Sequence, residues 1–315
     1  MRILVSGGSG LVGKELITAL TYDGHQVVQL VRRSPNPEAR ITEIGWDPEH
    51  GSFDSATIGR IDAAIHLGGV SIAGGRWSAE RKLLIRESRV RSTRLLAQAL
   101  AGMLTKPKVF IVASAIGFYG DRGEEPLTEE SPPGEGFLAD TAVRWEAAAE
   151  AAREAGIRVI NPRFGLIIAR QGGLLSKLRV PFQTALGGKL GTGRQWWSWI
   201  ALTDVVNALS YMIGHEELSG PVNFTAPTPV RNENFTRQMA KTLSRPAWLN
   251  VPSPVVRLVF GEMGQETMLY SQRAFPEKLR ASGFEWLYED LEAVLQQELI
   301  AARSDRWDST SGRGN

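Results

Sequence analysis

The chain has 315 residues, 36 Lys and Arg against 34 Asp and Glu, and a net charge of +2, so no bulk electrostatic basis exists for binding nucleic acid or an anionic membrane. It contains no cysteine, which excludes disulfides, thiolate catalysis and Cys-ligated metal sites; its four histidines (His25, His50, His66 and His215) are too dispersed to suggest a metal centre. No run approaches the ~18 apolar residues of a membrane span, and the N-terminus reads as a strand rather than a signal peptide, so a cytoplasmic protein of one large domain or up to two is expected.

Arg2–Ser6 is a short apolar run of strand-forming residues. Gly7, Gly10 and Gly13 follow at a spacing of three, and Leu11, Leu16, Ile17 and Leu20 then fall at helical spacing. Strand, glycine turn and helix in this order form a dinucleotide-binding unit. Gly7 permits the tight turn, Gly10 lets a pyrophosphate reach the N–H groups at the helix start, and Gly13 brings helix onto strand. The cofactor-binding set expected here is Gly7, Gly10, Leu11, Val12 and Gly13; a merely tight turn is the competing reading. The helix stops at Asp23-Gly24. Gln26–Val31 is the second strand and ends in Arg32-Arg33. An acidic residue at that point would bind both ribose hydroxyls and repel a 2′-phosphate, and arginine does the reverse. NADP(H) is therefore the expected cofactor, with Arg32 on its phosphate, against a solvated charge pair as the plainer alternative.

Residues 34–60 read as a loop with one short strand. The stretch 61–67 is a strand buried on both faces. It closes on Gly68-Gly69, where Leu67 and Gly68 are expected at the cofactor, and His66 is expected to be a buried structural histidine. Ser78 should cap a helix over about 79–103. A strand over 109–114 runs into Ala115-Ile-Gly-Phe-Tyr-Gly120, and the acidic, Pro- and Gly-rich 121–136 should be a long loop over the strand ends. A helix over 137–155 and a strand over 157–161 lead to Pro162-Arg163-Phe164-Gly165. The pattern then changes: a helix after Gly172-Gly173, strand-like 196–200, a helix over 204–215, a strand over 220–225 and a helix from Asn232 to Leu243. A Pro-punctuated, mostly helical 245–276 follows, then a helix over 290–303 and a polar tail, 304–315, expected to be disordered. Alternating strands and helices behind a glycine turn imply a doubly wound parallel sheet.

Ser6-Gly-Gly-Ser-Gly-Leu-Val-Gly13, His66-Leu-Gly-Gly69, Ser114 with Tyr119-Gly120, Pro162-Arg163-Phe-Gly165, and Trp199-Ile200 with Asp204 together resemble the extended short-chain dehydrogenase/reductases. Arg76-Trp77, Ser88-Arg89, Trp145-Glu146, Gly187-Gly-Lys-Leu-Gly191 and, near the C-terminus, Val251-Pro252, Gly261-Glu262, Pro276 and Gly283-Phe284 resemble a subgroup of the NAD-dependent epimerase/dehydratase family. That subgroup is called "epimerase family protein" and carries a small C-terminal domain of unknown function. The resemblance implies an α/β Rossmann domain over 1–165, with segments returning up to about 225, and a smaller α+β substrate lobe over 166–303. It implies an oxidoreductase or epimerase acting on a small carbonyl or nucleotide-sugar-like substrate. It adds Arg89 and Pro162 to the cofactor set. Arg76 and Arg163 are candidate carbonyl clamps, and Trp77 and Trp197 are candidate surfaces for stacking a flat or sugar-like substrate.

Members of the extended family carry a tyrosine and, four residues on, a lysine that lowers the phenol pKa from its usual value near 10. No tyrosine of this chain has lysine four residues on. The two positions fall on Leu138 and Ala142, and the family's Ser or Thr falls on Ala115, one step from Ser114. Tyr119 and Ser114 are the remaining catalytic candidates. Tyr119 reads equally as a packed tyrosine with a satisfied hydroxyl, Arg163 as a structural ion pair, and the cluster of Trp196, Trp197 and Trp199 as core. Two functions stay open: an NADP(H)-dependent enzyme of this kind, or a non-catalytic NADPH-binding sensor or scaffold, either one a monomer or homodimer.

Overall fold

The computed structural model describes residues 1–53 and 55–301, so the tail over 304–315 lies outside the described residues. The first half of the chain alternates β1 (Arg2–Ser6), α1 (Leu11–Tyr22), β2 (Gln26–Val31), β3 (Thr42–Gly45), β4 (Ala63–His66), α2 (Ala79–Ala101) and β5 (Val109–Val112). The main sheet runs in the order Gly220–Phe224, Arg158–Phe164, β5, β4, β1, β2, β3, parallel throughout. Successive strand residues point to opposite faces, and the apolar runs feed two cores. Ile3, Val5, Ile65 and Ile111 pack with α1 and with Val205, Leu209 and Met212. Leu4, Ala64, Phe110 and Val112 pack with Leu96 and Leu100 of α2 and with Trp145. Each fully buried Leu, Ile or Val in these layers contributes about 1.5–3 kcal/mol. Chain order reverses between β1 and β4, which opens a crevice outside their C-terminal ends, the usual ligand position in such sheets.

The helix expected over 137–155 is two: α3 (Phe137–Ala147) and α4 (Glu150–Glu154). The Arg153 guanidinium takes the Glu146 carbonyl at 3.1 Å, satisfying an acceptor that the break releases. The strand expected to stop at 161 continues to Phe164, because it is paired from Ile160 to Phe164 by Gly220–Phe224 and at its end by Ser114–Ala115. Within the loop 121–136, Pro126–Leu127 forms a two-residue strand against Arg273–Ala274, so the C-terminal segment pins this loop.

The second lobe contains α5 (Gly173–Gln183), α7 (Asn232–Leu243) and α8 (Ser253–Gly264), while α6 (Leu202–Gly214) returns to the main sheet. Small strand pairs hold the lobe together: Trp199–Ala201 lies parallel to Leu166–Ala169, and Trp196–Trp197 antiparallel to Val230–Arg231. Trp197, Trp199, Phe235, Met239 and Leu295 form its core. No described helix is long and apolar enough to cross a membrane.

Candidate functional site

After β1 the backbone turns at Gly7 with φ +77°, a conformation that strains any L side chain. A Cβ on Gly7 would lie 2.7 Å from the Leu67 carbonyl carbon, and one on Gly13 would lie 2.3 Å from the Gly7 oxygen. The turn is therefore wedged between the end of β4 and the start of α1 in a space that only glycine fits. Gly10 caps α1 without a side-chain bond, and the first backbone bond into the helix runs from Lys14 N–H to the Gly10 carbonyl at 3.1 Å. The N–H groups of Leu11, Val12 and Gly13 have no intrahelical partner, which is the electropositive arrangement that binds phosphate.

A cleft of about 820 Å³ opens from this turn, within the size range of small-molecule sites. Its walls are Gly7, Gly8, Ser9 and Gly10, the end of β2 through Arg32 and Arg33, Trp46 and Pro48 after β3, His66 to Val70 after β4, and Leu83, Leu84 and Ser88 of α2. The structure thus brings Gly7, Gly10, Arg32, Leu67 and Gly68 to one cavity. Arg33 forms an ion pair with Glu43 at 2.6 Å, whereas Arg32 has no hydrogen bond or ion pair among the described residues. Arg89 lies under the rim. It donates to the Val70 and Ile85 carbonyls at 3.0 and 2.9 Å, and burial followed by the charge of Arg81 lowers its pKa to about 10. Pro162 is inside its strand, buried and in register with Val222, and is not on the cleft wall. Leu11 turns its side chain to the Gly172 turn, where a Cβ would lie 3.0 Å away.

His66 is the buried structural histidine expected. Its Nδ1 meets the Ser6 hydroxyl and its Nε2 lies 2.9 Å from Ser92 Oγ. Ser92 in turn donates to the Ser88 carbonyl at 2.6 Å, so the network assigns the ring proton to Nε2. Burial, reinforced by the charge of Arg89, pushes its pKa down to about 3.

The two catalytic candidates come together with Arg163, but away from the cleft wall. Ser114 Oγ donates to Glu146 on α3 at 2.6 Å. Arg163 grips both oxygens of Glu146 at 2.8 and 2.9 Å and donates to Tyr119 Oη at 3.0 Å. Tyr119 donates to Asn223 Oδ1 at 2.7 Å, and Glu129 accepts from the Asn223 N–H at 3.0 Å. Tyr119 is fully buried, and that burial pushes its pKa up to about 12. Of its two readings, Tyr119 takes that of a packed tyrosine with a satisfied hydroxyl and cross-links strand ends, because the turn after Ala115 carries it inward with Ile116 and Phe118. Sequence reasoning did not assign Glu146, Asn223 or Glu129 to this network; the only local signal was the Trp145-Glu146 pair on a helix whose neighbours are apolar.

The residues expected near substrate divide. Trp197 is 4% exposed, edge-on to Phe235 at 5.1 Å, and belongs to the core of the second lobe. Arg163 belongs to the buried network. Arg76 and Trp77 remain at a rim: Trp77 packs on Phe137 at 4.9 Å and donates to the Ile72 carbonyl at 2.8 Å, and Arg76 lies beside Gly261 of α8. At the same rim the Glu266 carboxylate accepts from the N–H groups of Phe137 and Leu138, both at 2.8 Å. Ala142 is packed with Ile116, Phe118, Tyr119 and Leu127, and Leu138 lies against Gly117.

A family model described as the NAD dependent epimerase/dehydratase family matches residues 3–224, and one described as a domain of unknown function, DUF1731, matches 251–298. An epimerase family protein of Mycobacterium leprae is 40% identical over 293 residues, covering 93% of this chain and 94% of the relative. One of Bacillus subtilis is 38% identical over 305 residues, covering 96% and 99%. The human epimerase family protein SDR39U1, solved with NADPH, superposes with a TM-score of 0.85 at 30% identity over 95% of this chain and 99% of that one. A UDP-glucose 4-epimerase of Thermotoga maritima, solved with UDP-glucose, shares the fold at a TM-score of 0.78 and 17% identity, over 97% of this chain and all of that one.

Proposed function

Since the chain belongs to the NAD-dependent epimerase/dehydratase family, we propose that its cleft binds NADP(H) and that it exchanges hydride with a small carbonyl or nucleotide-sugar-like substrate. The observation that carries the cofactor reading is Arg32, a cation without a described partner on the wall of a cleft that begins at an open helix N-terminus. The N–H groups of Leu11, Val12 and Gly13 hold the pyrophosphate, and Arg32 holds the ribose 2′-phosphate. The relative solved with NADPH supports this assignment. The cofactor supplies the hydride; the protein supplies position and charge. Residues 1–165 with the strand Gly220–Phe224 serve the cofactor, and the remainder up to 301 shapes the substrate side.

Proton transfer in this chain does not follow the Tyr–Lys route. Leu138 and Ala142 carry no titratable group, the Ser114 hydroxyl donates its hydrogen bond to Glu146, and Tyr119 is buried with its hydroxyl engaged on both sides. The proton of a carbonyl reduction is then drawn from solvent or from the substrate. The same apolar replacements favour a second reading, an NADPH-binding sensor or scaffold without turnover.

Titration of NADPH and NADH fluorescence tests the cofactor assignment. Arg32→Ala is expected to weaken NADPH by about 10–100-fold, the worth of one charge-assisted bond, with NADH little changed. An unchanged preference would remove the 2′-phosphate from Arg32. Panels of carbonyls and sugar nucleotides then separate the two functions: oxidation of bound NADPH establishes the enzyme, and binding with no consumption across the panel establishes the sensor.

A further inference from the structure

β2 ends in two adjacent arginines on the cleft wall, and the structure treats them unequally. Arg33 Nη1 and Nη2 lie 2.8 and 2.6 Å from the two oxygens of Glu43, and Nη1 also donates to the Ser34 carbonyl at 2.9 Å. Glu43 accepts one more bond, from Asn36 N–H at 2.8 Å. Its side chain is 6% exposed against 60% for Arg33. The register of β3 on β2, with Glu43 opposite Gln29, places the carboxylate beside the turn that follows Val31. Arg32, one residue away, has no such partner.

A guanidinium offers its paired donors in a fixed fork that fits a carboxylate or a phosphate. When a carboxylate holds the fork, a phosphate cannot take it in the same way, and the carboxylate charge repels the phosphate as well. Resting on the reading of the cleft as an NADP(H) site, we propose that Glu43 is a specificity-determining positioning residue: by occupying Arg33 it confines 2′-phosphate recognition to Arg32 and holds down the preference for NADPH over NADH. The side-chain bond to Arg33, joined by the Asn36 N–H, keeps the Glu43 carboxyl below the usual carboxylate range, so the counter-charge is present at neutral pH. Such a restraint suits a site that releases its dinucleotide. A reductase must exchange oxidised for reduced cofactor at every turnover, whereas an epimerase regenerates the cofactor in place.

The test is Glu43→Gln, which preserves shape and the acceptor for Asn36, read by NADPH and NADH dissociation constants on the full chain at low and high salt. NADPH is expected to bind about 10-fold more tightly, the scale of one released charge-assisted contact, with NADH within about twofold of wild type and a steeper salt dependence for NADPH alone. Arg33→Ala added to Glu43→Gln is expected to cancel the gain, because Arg33 is the group set free. Unchanged or weaker NADPH binding by Glu43→Gln, an equal shift for both cofactors, or a gain that survives in the double variant overturns the inference. The outcomes are separable. If the wild-type chain shows no preference for NADPH, the cofactor reading falls and takes this inference with it; if the preference is present and Glu43→Gln does not raise it, only the role of Glu43 falls.

Discussion

Glu146→Gln is expected to destabilise the fold by about 3–5 kcal/mol, the usual cost of removing one partner of a buried ion pair. The size follows from the surroundings. The Arg163 side chain is 4% exposed and that of Glu146 13%, so neither group recovers full hydration when the pair is broken. The substitution turns an amide –NH₂ toward a guanidinium that has just lost its counter-charge, or else strands Ser114 Oγ, which now donates to Glu146 at 2.6 Å. Arg163 also supports Tyr119, so the loss spreads along the network to Asn223. Urea unfolding followed by circular dichroism measures the change as a lower midpoint at unchanged slope. NADPH affinity of the folded protein should hold, since the pair lies outside the cleft wall. Replacing both partners with apolar residues of similar volume should cost less than Glu146→Gln alone. A loss below about 1 kcal/mol, the range of solvent-exposed pairs, would refute the buried-network reasoning.

Tyr119→Phe is expected to cost about 1–3 kcal/mol, since it takes their tyrosine partner from Asn223 Oδ1 and an Arg163 N–H, and to leave NADPH binding unchanged; loss of binding at full stability would return the phenol to the cleft. His66 gives a pH dependence of definite sign. Its folded pKa is about 3 and its unfolded pKa about 6.5, so the unfolded chain takes up the proton first. The stabilisation is complete above about pH 6.5 and is lost as pH falls toward 3, amounting to about 2 kcal/mol between pH 7 and 5. Unfolding midpoints of the wild type and His66→Asn across that range measure it; equal slopes for the two would show that His66 titrates normally in the fold.

Local features of the site were legible in the sequence, and features made by tertiary contact were not. The glycine turn, the opening of α1 and the position of Arg32 all lie within about one βαβ unit, where spacing alone sets geometry. Arg32 and Arg33 look alike as neighbours in sequence; only the register of β3 shows that one is bound to Glu43 and the other is not. Tyr119, Glu146, Arg163 and Asn223 meet from four separate segments, so the chain order leaves the packed and the catalytic readings of Tyr119 level and names none of its partners. Trp197 and Trp77 are both tryptophans beside polar residues, yet one fills a lobe and the other stands at a rim. At the break between α3 and α4, Arg153 reaches back to the Glu146 carbonyl, a contact that no helix propensity encodes.

The cleft wall and the segment around α3 are finished to different degrees. On the glycine-turn side, the first N–H groups of α1 and Arg32 are left without partners among the described residues. Around Leu138 and Ala142, which are packed, Ser114, Tyr119, Glu146 and Arg163 are engaged with one another, whereas Thr141 Oγ1 is buried with no hydrogen-bond partner among the described residues. What remains accessible there is the rim formed by Arg76, Trp77 and the start of α3. The C-terminal segment builds that rim: Glu266 holds the first N–H groups of α3, and Glu262 pairs with Lys82 of α2 at 2.8 Å. Capping of this kind is worth about 0.5–2 kcal/mol, enough to fix the entry of α3 but not to hold the fold together. The rim is thus built by residues from both matched regions of the chain, 3–224 and 251–298.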